Sequence, residues 1–377
     1  MIYLDHNATT PPLPEVMDAV SECLRSGWGN PSSKHGHGQR AKAALVAARA
    51  DVAKLLGAQP VELVFTSGAT EANHHALHGA LARNGAPARV LLSAIEHSGF
   101  IKAALRLRDA GVEVVLLPVD ADGVLKMAPL RAALEQPAAL LSVMAANNET
   151  GVLQPVADIA ALASAHGVPF HVDATQMAGK LALDFAGWGA DLMSMSAHKF
   201  GGPKGCGALV VRKGLGWPPL LAGQQERGRR GGTENMPGIA GLAAAARDAV
   251  AGMKADALRV GAMRDTLEAA LLECVPGLRV FGAGAPRLPN TLYVAIAGLS
   301  ADRVLDRLER EGIFASSGAA CSSGGPEPSH VLRAMGVPAD EALGAVRLSL
   351  GRDTDADAVG RVVHVLRTLV PQAAAAT

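Results

Sequence analysis

Short apolar segments alternate with longer amphipathic or alanine-rich segments along most of the chain. Residues 61–66 (VELVFT) have the length and composition of a strand, whereas residues 40–57 have apolar positions at helical spacing and end on Gly57, a typical C-terminal cap. Further strand-like segments follow, namely VLLSAI, VEVVLLPV, AALLSVMA, PFHVDA, DLMSMSA and GALVVR. Continuous apolar strands with helices between them predict an α/β fold whose mostly parallel sheet is covered on both faces.

The pattern changes after about residue 235. A long alanine-rich helical segment, 238–273, precedes the alternating segments NTLYVAIAG and AVRLSLG. Alternation is typical of strands with one exposed face. We therefore expect a large domain at residues 12–250 and a smaller α+β domain formed by residues 1–11 together with 251–377.

Composition and charge exclude several classes of protein. The 377 residues carry 35 Lys plus Arg against 35 Asp plus Glu, and only 3% are aromatic, so we expect no nucleic-acid or anionic membrane surface. The first residues, MIYLDHNATTPP, lack a signal-peptide pattern, and no apolar run approaches the length of a membrane helix. The cysteines show no zinc spacing, which favours free thiols and a cytoplasmic protein: Cys23, Cys206, Cys274 and Cys321.

Polar clusters follow four of the apolar strands. They are TSGATE (66–71), ANNETG (146–151), HVDATQ (171–176) and SMSAHKFGGPKG (194–205). Ligands of open α/β sheets bind at the carboxyl ends of strands. Taken singly, each cluster is also explained by a capped turn, a helix cap or a solvated glycine-rich loop.

In combination these clusters match the requirements of a pyridoxal 5′-phosphate site. A turn with free backbone N–H groups and the Thr70 hydroxyl suits a phosphate. Asp173 can keep a pyridine nitrogen protonated, and Lys199 can form a Schiff base with an aldehyde. Such a lysine needs a lowered pKa, which burial among cationic neighbours provides.

The chain resembles the cysteine desulfurases, pyridoxal phosphate enzymes of the aminotransferase class V group with the type I fold. The resemblance runs along nearly the whole chain. Its motifs appear in family order: YLDHNATT, GNPSS, FTSGATE, EH, NNETG, HVDATQ, HK, GPKG, QERGRRGGTEN, SSGAACSSG, EPSHVLRAMG and RLSLGR. The segment SSGAACSSG is similar to the branch that serves iron–sulfur cluster assembly, and a role in nitrogenase maturation or in general assembly both stay open.

This resemblance implies a set of cofactor contacts. Lys199 would carry the cofactor, Asp173 would pair with the pyridine nitrogen, and Gln176 would bond the ring hydroxyl. His97 would stack on the ring and move protons. The other implied contacts surround the phosphate and the ring: Ala69, Thr70, Asn148, Ser196 and His198.

The resemblance also implies substrate contacts and a shared site. Arg352 would bind the carboxylate of L-cysteine, because a guanidinium suits a carboxylate, with Asn148 and Asn30 nearby. Thr233 would reach the phosphate from the neighbouring subunit. A homodimer with shared active sites follows from that arrangement.

Cys321 lies in a loose run of small residues, ASSGAACSSGG (315–325). Glycine and serine give a segment the freedom of a mobile arm. The resemblance implies that the Cys321 thiolate attacks the sulfur of L-cysteine, becomes a persulfide, releases L-alanine and passes sulfur to an acceptor or iron–sulfur scaffold protein. No resident metal is expected, apart from a transient ligation of a shared iron–sulfur cluster by Cys321.

Three other interpretations remain. A selenocysteine lyase or another class V aminotransferase would share the cofactor site, although transamination needs no thiol. A sulfur carrier with a decayed site would have lost Lys199 or Asp173, and both are present. A metal-binding protein is suggested by 12 histidines, but no CxxC spacing supports it.

Overall fold

The computed structural model describes residues 1–318, 320–322 and 325–374, and for residues 320–322, 325–326 and 370–374 it describes the backbone alone. The helices have the following bounds: α1 Pro14–Ser26, α2 Gly36–Leu55, α3 Ala69–Leu81, α4 Ser98–Arg106, α5 Met127–Leu134, α6 Val156–Ala165, α7 Phe185–Trp188, α8 Gln225–Gly228, α9 Met236–Cys274, α10 Ala301–Arg310, α11 His330–Ala334, α12 Ala339–Leu343 and α13 Ala356–Ala374. The strands are β1 Ile2–Tyr3, β2 Leu63–Thr66, β3 Arg89–Ser93, β4 Glu113–Leu117, β5 Leu140–Met144, β6 Phe170–Asp173, β7 Leu192–Ser196, β8 Gly207–Val211, β9 Leu278–Val280, β10 Thr291–Ile296, β11 Ile313–Phe314, β12 Ser316–Ser317, β13 Ala320–Ser322, β14 Gly325–Glu327 and β15 Val346–Ser349.

A seven-stranded sheet in the order β2-β8-β7-β6-β5-β3-β4 forms the centre of the fold. Only β8 runs against its neighbours β2 and β7, and the other pairs are parallel. Every residue of β3, β5, β6 and β7 is buried, which is why their sequences are mostly apolar. The prediction of a mostly parallel α/β sheet is confirmed.

Two apolar clusters cover the faces of this sheet. One includes Val52, Leu141, Val172 and Met193, together with residues of α9. The other lies under α3 and α4 and includes Leu77, Val90 and Leu209. The sheet therefore has a protected interior, and its polar residues emerge where the strands end.

A second sheet, in the order β12-β15-β10-β9, is antiparallel throughout. The N-terminal strand β1 pairs in parallel with β11, so the first residues join the C-terminal part of the chain. The helix α9 runs without interruption through residue 250 and links the two parts. The division into domains at that residue stays a prediction.

The helix boundaries follow local signals. Helix α2 ends at Leu55, and Gly57 adopts a left-handed φ of 61°, as expected of a glycine that ends a helix. Helix α9 extends the predicted 238–273 segment by a few residues at each end. Among the residues that the structure describes, no helix is both long and apolar enough to cross a membrane.

Candidate active site

A cavity of about 400 Å³ opens at the carboxyl ends of β5, β6 and β7. The polar residues that the sequence places after these strands line it, because parallel strands end at one edge of the sheet. Nine of the predicted site residues meet there: Ala69, Thr70, His97, Asn148, Asp173, Gln176, Ser196, His198 and Lys199. Residues far apart in the sequence thus form one polar pocket.

Lys199 ends a short 3₁₀ turn directly after β7. Its ammonium donates hydrogen bonds to the backbone oxygens of Asn7, at 2.6 Å, and Ala8, at 2.9 Å. Burial, reinforced by the cationic Arg347, lowers the pKa of Lys199 to about 8, against the opposing effects of Asp173 and Asp5. At neutral pH the side chain therefore holds a larger fraction of reactive, uncharged amine than an ordinary lysine does.

Asp173 lies at the end of β6 in the middle of the sheet, and only 5% of its surface is exposed. The Asn73 amide donates to Oδ2 at 2.7 Å, and the Thr175 backbone N–H donates to Oδ1 at 3.0 Å. These bonds hold the carboxylate in one orientation. It can therefore stabilise a protonated nitrogen placed in the cavity.

The phosphate-sized end of the cavity lies at the N-terminus of α3. Gly68 precedes this helix with a φ of 150°. Its neighbour Gly207 has no room for a side chain, because a Cβ on Gly207 would lie 2.6 Å from the Gly68 Cα. No side chain caps the first N–H groups of the helix from Gly68. Together with the Thr70 and Ser196 hydroxyls they form an anion-binding end.

Two histidines line the cavity in uncharged form. Burial, with help from Lys199 and Lys204, lowers the pKa of His198 to about 4, and its Nδ1 lies 3.1 Å from the Thr9 hydroxyl. Burial also lowers the pKa of His97, although Asp173 opposes that shift. The Nδ1 atom of His97 accepts a hydrogen bond from the Gly99 N–H at 3.2 Å. Its proton is therefore on Nε2.

Unpartnered polar atoms show that the cavity suits a polar ligand. Asn148 Oδ1 and Thr175 Oγ1 are buried without a hydrogen-bond partner in the part of the chain that the structure describes, and both residues line the cavity. Buried polar atoms are normally paired. A phosphorylated aromatic aldehyde fits the donor set, with its phosphate at α3, its ring nitrogen at Asp173 and its carbon at Lys199.

The sequence reasoning missed Asn7 and Lys180, which form a hydrogen-bond network with the cavity residues Gln176 and Lys199. The Asn7 backbone oxygen accepts from Gln176 Nε2 at 2.9 Å as well as from Lys199. Lys180 Nζ donates to Gln176 Oε1 at 2.9 Å and to Asn7 Oδ1 at 3.0 Å. Asn7 belongs to the motif YLDHNATT, and Lys180 lies four residues after HVDATQ, but contact between them depends on the tertiary fold.

Two arginines compete for the role of carboxylate ligand. Arg352 lines a second cavity of about 290 Å³ that also reaches Lys199, but its guanidinium already pairs with Asp248 and with Asp256, the latter at 2.9 Å. Arg347 lies on β15 and is 7% exposed. It donates to the Asn148 backbone oxygen at 2.9 Å and to Asp5 at 2.7 Å, and its buried Nε has no partner among the described residues.

Thr233 and Asn30 do not line the cavity. Thr233 borders a separate depression near Cys206, on a segment held by the buried Arg49–Glu226 ion pair. Asn30 accepts a bond from the Ser32 N–H at 2.9 Å in an exposed turn. The chain's own cavity is therefore formed without either of these two predicted residues.

The side chain of Cys321 lies outside the described residues, as does all of Ala319. Two other cysteines, Cys23 and Cys206, are buried and unreactive. Burial raises the pKa of Cys206 to about 12 and also raises the pKa of Cys23, so both remain thiols at neutral pH. Cys274 is half-buried at the end of α9.

Comparison with known proteins gives concordant results. A family model described as aminotransferase class-V matches residues 2–362. A protein named cysteine desulfurase from Cereibacter sphaeroides is 46% identical over 374 residues, which cover 98% of this chain and 96% of that protein. A solved structure described as a NifS-like protein superposes with a TM-score of 0.89 and 34% identity over 98% of this chain and 99% of that one. Another, described as SspA in complex with cysteine, has a TM-score of 0.81 and 32% identity over 93% of this chain and 99% of that one.

Proposed function

The chain belongs to the aminotransferase class-V family, and we propose from that premise that it is a pyridoxal phosphate-dependent cysteine desulfurase acting on L-cysteine. The observation that carries this proposal is the cavity in which the Lys199 amine, the Asp173 carboxylate and the N-terminus of α3 meet. Its relatives named cysteine desulfurase cover almost the whole chain. The comparisons do not favour a selenocysteine lyase or a simple aminotransferase.

Each cavity residue has a role toward the cofactor. Lys199 Nζ would hold its aldehyde carbon, Asp173 its ring nitrogen, and Gln176 its ring hydroxyl. His97 would lie over the ring, with Asn148 at its side. The phosphate would bind at Ala69, Thr70, Ser196 and His198. Pyridoxal phosphate, when bound, supplies a ring that accepts electrons from the substrate Cα.

The chain's own groups then bind the substrate and move its protons. Lys199 Nζ takes the proton from Cα, and its lowered pKa provides an uncharged amine for this task. His97, neutral and protonated at Nε2, would give a proton to the substrate carbon from which the sulfur leaves. Arg347, whose buried Nε has no partner among the residues that the structure describes, binds the substrate carboxylate in preference to Arg352.

Sulfur leaves the substrate as a persulfide on Cys321. A bond forms between the Cys321 sulfur and the sulfur of L-cysteine, while the carbon–sulfur bond of the substrate breaks and its electron pair stays with carbon, which is then protonated. One cysteine side chain and one L-cysteine thus become one persulfide and one L-alanine. No outside oxidant is needed, because the sulfur is oxidised as the carbon is reduced.

The persulfide sulfur would pass to an acceptor or scaffold protein for iron–sulfur cluster assembly. We further propose a homodimer in which Thr233 of each subunit completes the phosphate site of the other. The position of Thr233 outside its own cavity, on a segment held by buried ion pairs, supports this arrangement. A cytoplasmic location agrees with the free thiols of Cys23, Cys206 and Cys274.

The function is tested by mixing the purified, cofactor-loaded protein with L-cysteine and a reductant. We expect alanine and sulfide in equal amounts, and none from Lys199→Ala. Conversion of L-cysteine without alanine, or a keto acid as the carbon product, would contradict the proposal. L-selenocysteine as the only productive substrate would favour the lyase instead.

A further inference from the structure

Two residues that flank the Cys321 segment meet at one buried carboxylate, that of Glu149. Ser329 Oγ donates a hydrogen bond to Glu149 Oε2 at 2.5 Å. A Cβ on Gly318 would lie only 2.6 Å from the same oxygen, so the Gly318 backbone packs directly against it. Gly318 and Ser329, the residues that flank 319–328, thus both lie beside a single side chain.

The Ser329 contact fixes the C-terminal flank. Ser329 is 2% exposed and caps α11, and its Oγ accepts from the N–H groups of Val331, at 3.1 Å, and Leu332, at 3.2 Å. These bonds occupy the oxygen's two lone pairs. The hydroxyl proton remains for Glu149, so the start of the helix and the carboxylate hold one another in place.

The Gly318 contact fixes the N-terminal flank. The Tyr293 hydroxyl donates to Glu149 Oε2 at 3.2 Å, and Tyr293 is fully buried. A Cβ on Gly318 would come within 1.7 Å of that hydroxyl. Glycine is therefore required at this position by the close approach of Tyr293 and Glu149.

Glu149 is itself held rigidly to the cavity. It follows Asn148, which lines the cavity, in a turn closed by Asn147. Asn147 Oδ1 accepts from the N–H groups of Glu149, at 2.9 Å, and Thr150, at 3.0 Å, and its amide donates to the Ile95 oxygen at 3.0 Å. One tight turn therefore places Asn148 at the cavity and Glu149 beside Gly318 and Ser329, which flank the segment 319–328.

We propose that Glu149 is a positioning residue for sulfur transfer, which fixes both ends of the segment 319–328 relative to the cavity and thereby sets how readily Cys321 reaches the substrate sulfur. The inference rests on the proposed function. Fixed ends restrict the conformations of a short segment and raise the effective concentration of its thiol at the site. Small displacements of a reacting group cost large factors in rate.

The test compares Glu149→Gln with the wild type and with Glu62→Gln. The carboxylate of Glu62 is also buried and also accepts backbone bonds, from Gln59 and Lys213, but it does not line the cavity. In a single-turnover, rapid-quench assay, Glu149→Gln should release alanine about tenfold or more slowly than the wild type. Glu62→Gln should keep the wild-type rate.

Three further readouts separate positioning from general damage. For Glu149→Gln, the cofactor dissociation constant and the absorbance change on adding L-cysteine should stay within about twofold of wild type, since Glu149 does not line the cavity. The alkylation rate of Cys321 without substrate should not fall. Ser329→Ala removes the Ser329–Glu149 hydrogen bond but leaves the Gly318 contact, and should therefore reduce the rate of alanine release less in the same assay. It replaces Glu149→Gln as the test variant if Glu149→Gln does not fold.

The inference is overturned if folded Glu149→Gln or Ser329→Ala transfers sulfur at the wild-type rate. It is equally overturned if cofactor binding or Cys321 alkylation falls in proportion to transfer. These outcomes leave the proposed function intact, because the wild type still makes alanine. A wild type that forms no alanine would overturn the proposed function itself, and this inference with it.

Discussion

The ammonium group of Lys180 donates a hydrogen bond to the side-chain oxygen of Gln176 at 2.9 Å. This bond decides which way the Gln176 amide points, because its nitrogen must then face the Asn7 backbone oxygen, 2.9 Å away, and the cavity. Gln176 would thus meet the ring hydroxyl of a bound cofactor as a donor, as proposed above. Lys180 has this effect without touching the cavity described around Lys199 and Asp173.

Replacement of Lys180 by methionine should therefore weaken cofactor binding. Gln176 Oε1 and Asn7 Oδ1 would lose a charged donor in a buried place, which costs about 1–3 kcal/mol, or roughly ten- to a hundredfold in the dissociation constant. The measurement is a titration of the cofactor-free protein followed by absorbance. The exposed Lys102, replaced in the same way, should bind as the wild type does. Unchanged binding in Lys180→Met would show that Gln176 orients itself without help.

Attachment of the cofactor should depend on pH through Lys199. Burial lowers the pKa of this amine to about 8 from 10.5, and only the uncharged amine reacts. The rate of covalent attachment to the cofactor-free protein should therefore rise about tenfold per pH unit below 8 and level off above it. Borohydride reduction at timed intervals, followed by mass spectrometry, measures this rate. A rate that keeps rising beyond pH 10 would mean that Lys199 has an ordinary pKa.

The two arginines make a matched pair for the carboxylate site. Arg347→Lys should raise the KM for L-cysteine about tenfold or more, because a lysine cannot reproduce a buried guanidinium fork. Arg352→Lys should change KM by less than about twofold, since Arg352 forms partly exposed ion pairs with Asp248 and Asp256. Thermal denaturation of both variants controls for folding. A larger rise in KM for Arg352→Lys than for Arg347→Lys would show that Arg352 binds the substrate carboxylate.

The sequence predicts this fold and much of the cavity for a physical reason. Buried parallel strands are mostly apolar, so Asp173 and Lys199 stand out as charged residues at strand ends, where ligands bind. The antiparallel direction of β8 could not be predicted from the sequence, because an apolar strand has the same residue pattern in either direction. The choice between Arg347 and Arg352 likewise depends on which aspartates each meets after folding.

The interactions of Asn7 and Lys180 could not be derived from local patterns. Asn7 reaches the site because the N-terminal segment joins the second sheet, where its N–H donates to Ser349 Oγ at 3.0 Å. Nothing in the local sequence distinguishes Lys180 from an ordinary lysine in a turn, yet burial and the cations Lys199 and Arg347 lower its pKa well below the usual value. Such contacts arise only when distant segments pack together.

Sharing of the active site between subunits can be tested by mixing inactive chains. If Thr233 acts across a dimer interface, a heterodimer of Lys199→Ala and Thr233→Ala chains has one site with both changes and one site with neither. With random pairing of equal amounts, about a quarter of the wild-type activity should return. The heterodimer is isolated by two different affinity tags, and retention of cofactor per dimer is measured alongside alanine formation. If Thr233 served its own subunit, every site would carry one lesion, and proven heterodimers would stay inactive. The structure favours recovery, because Thr233 does not line its own cavity while ion pairs of Arg49 with Glu226 and of Arg230 with Glu71 hold its segment in place.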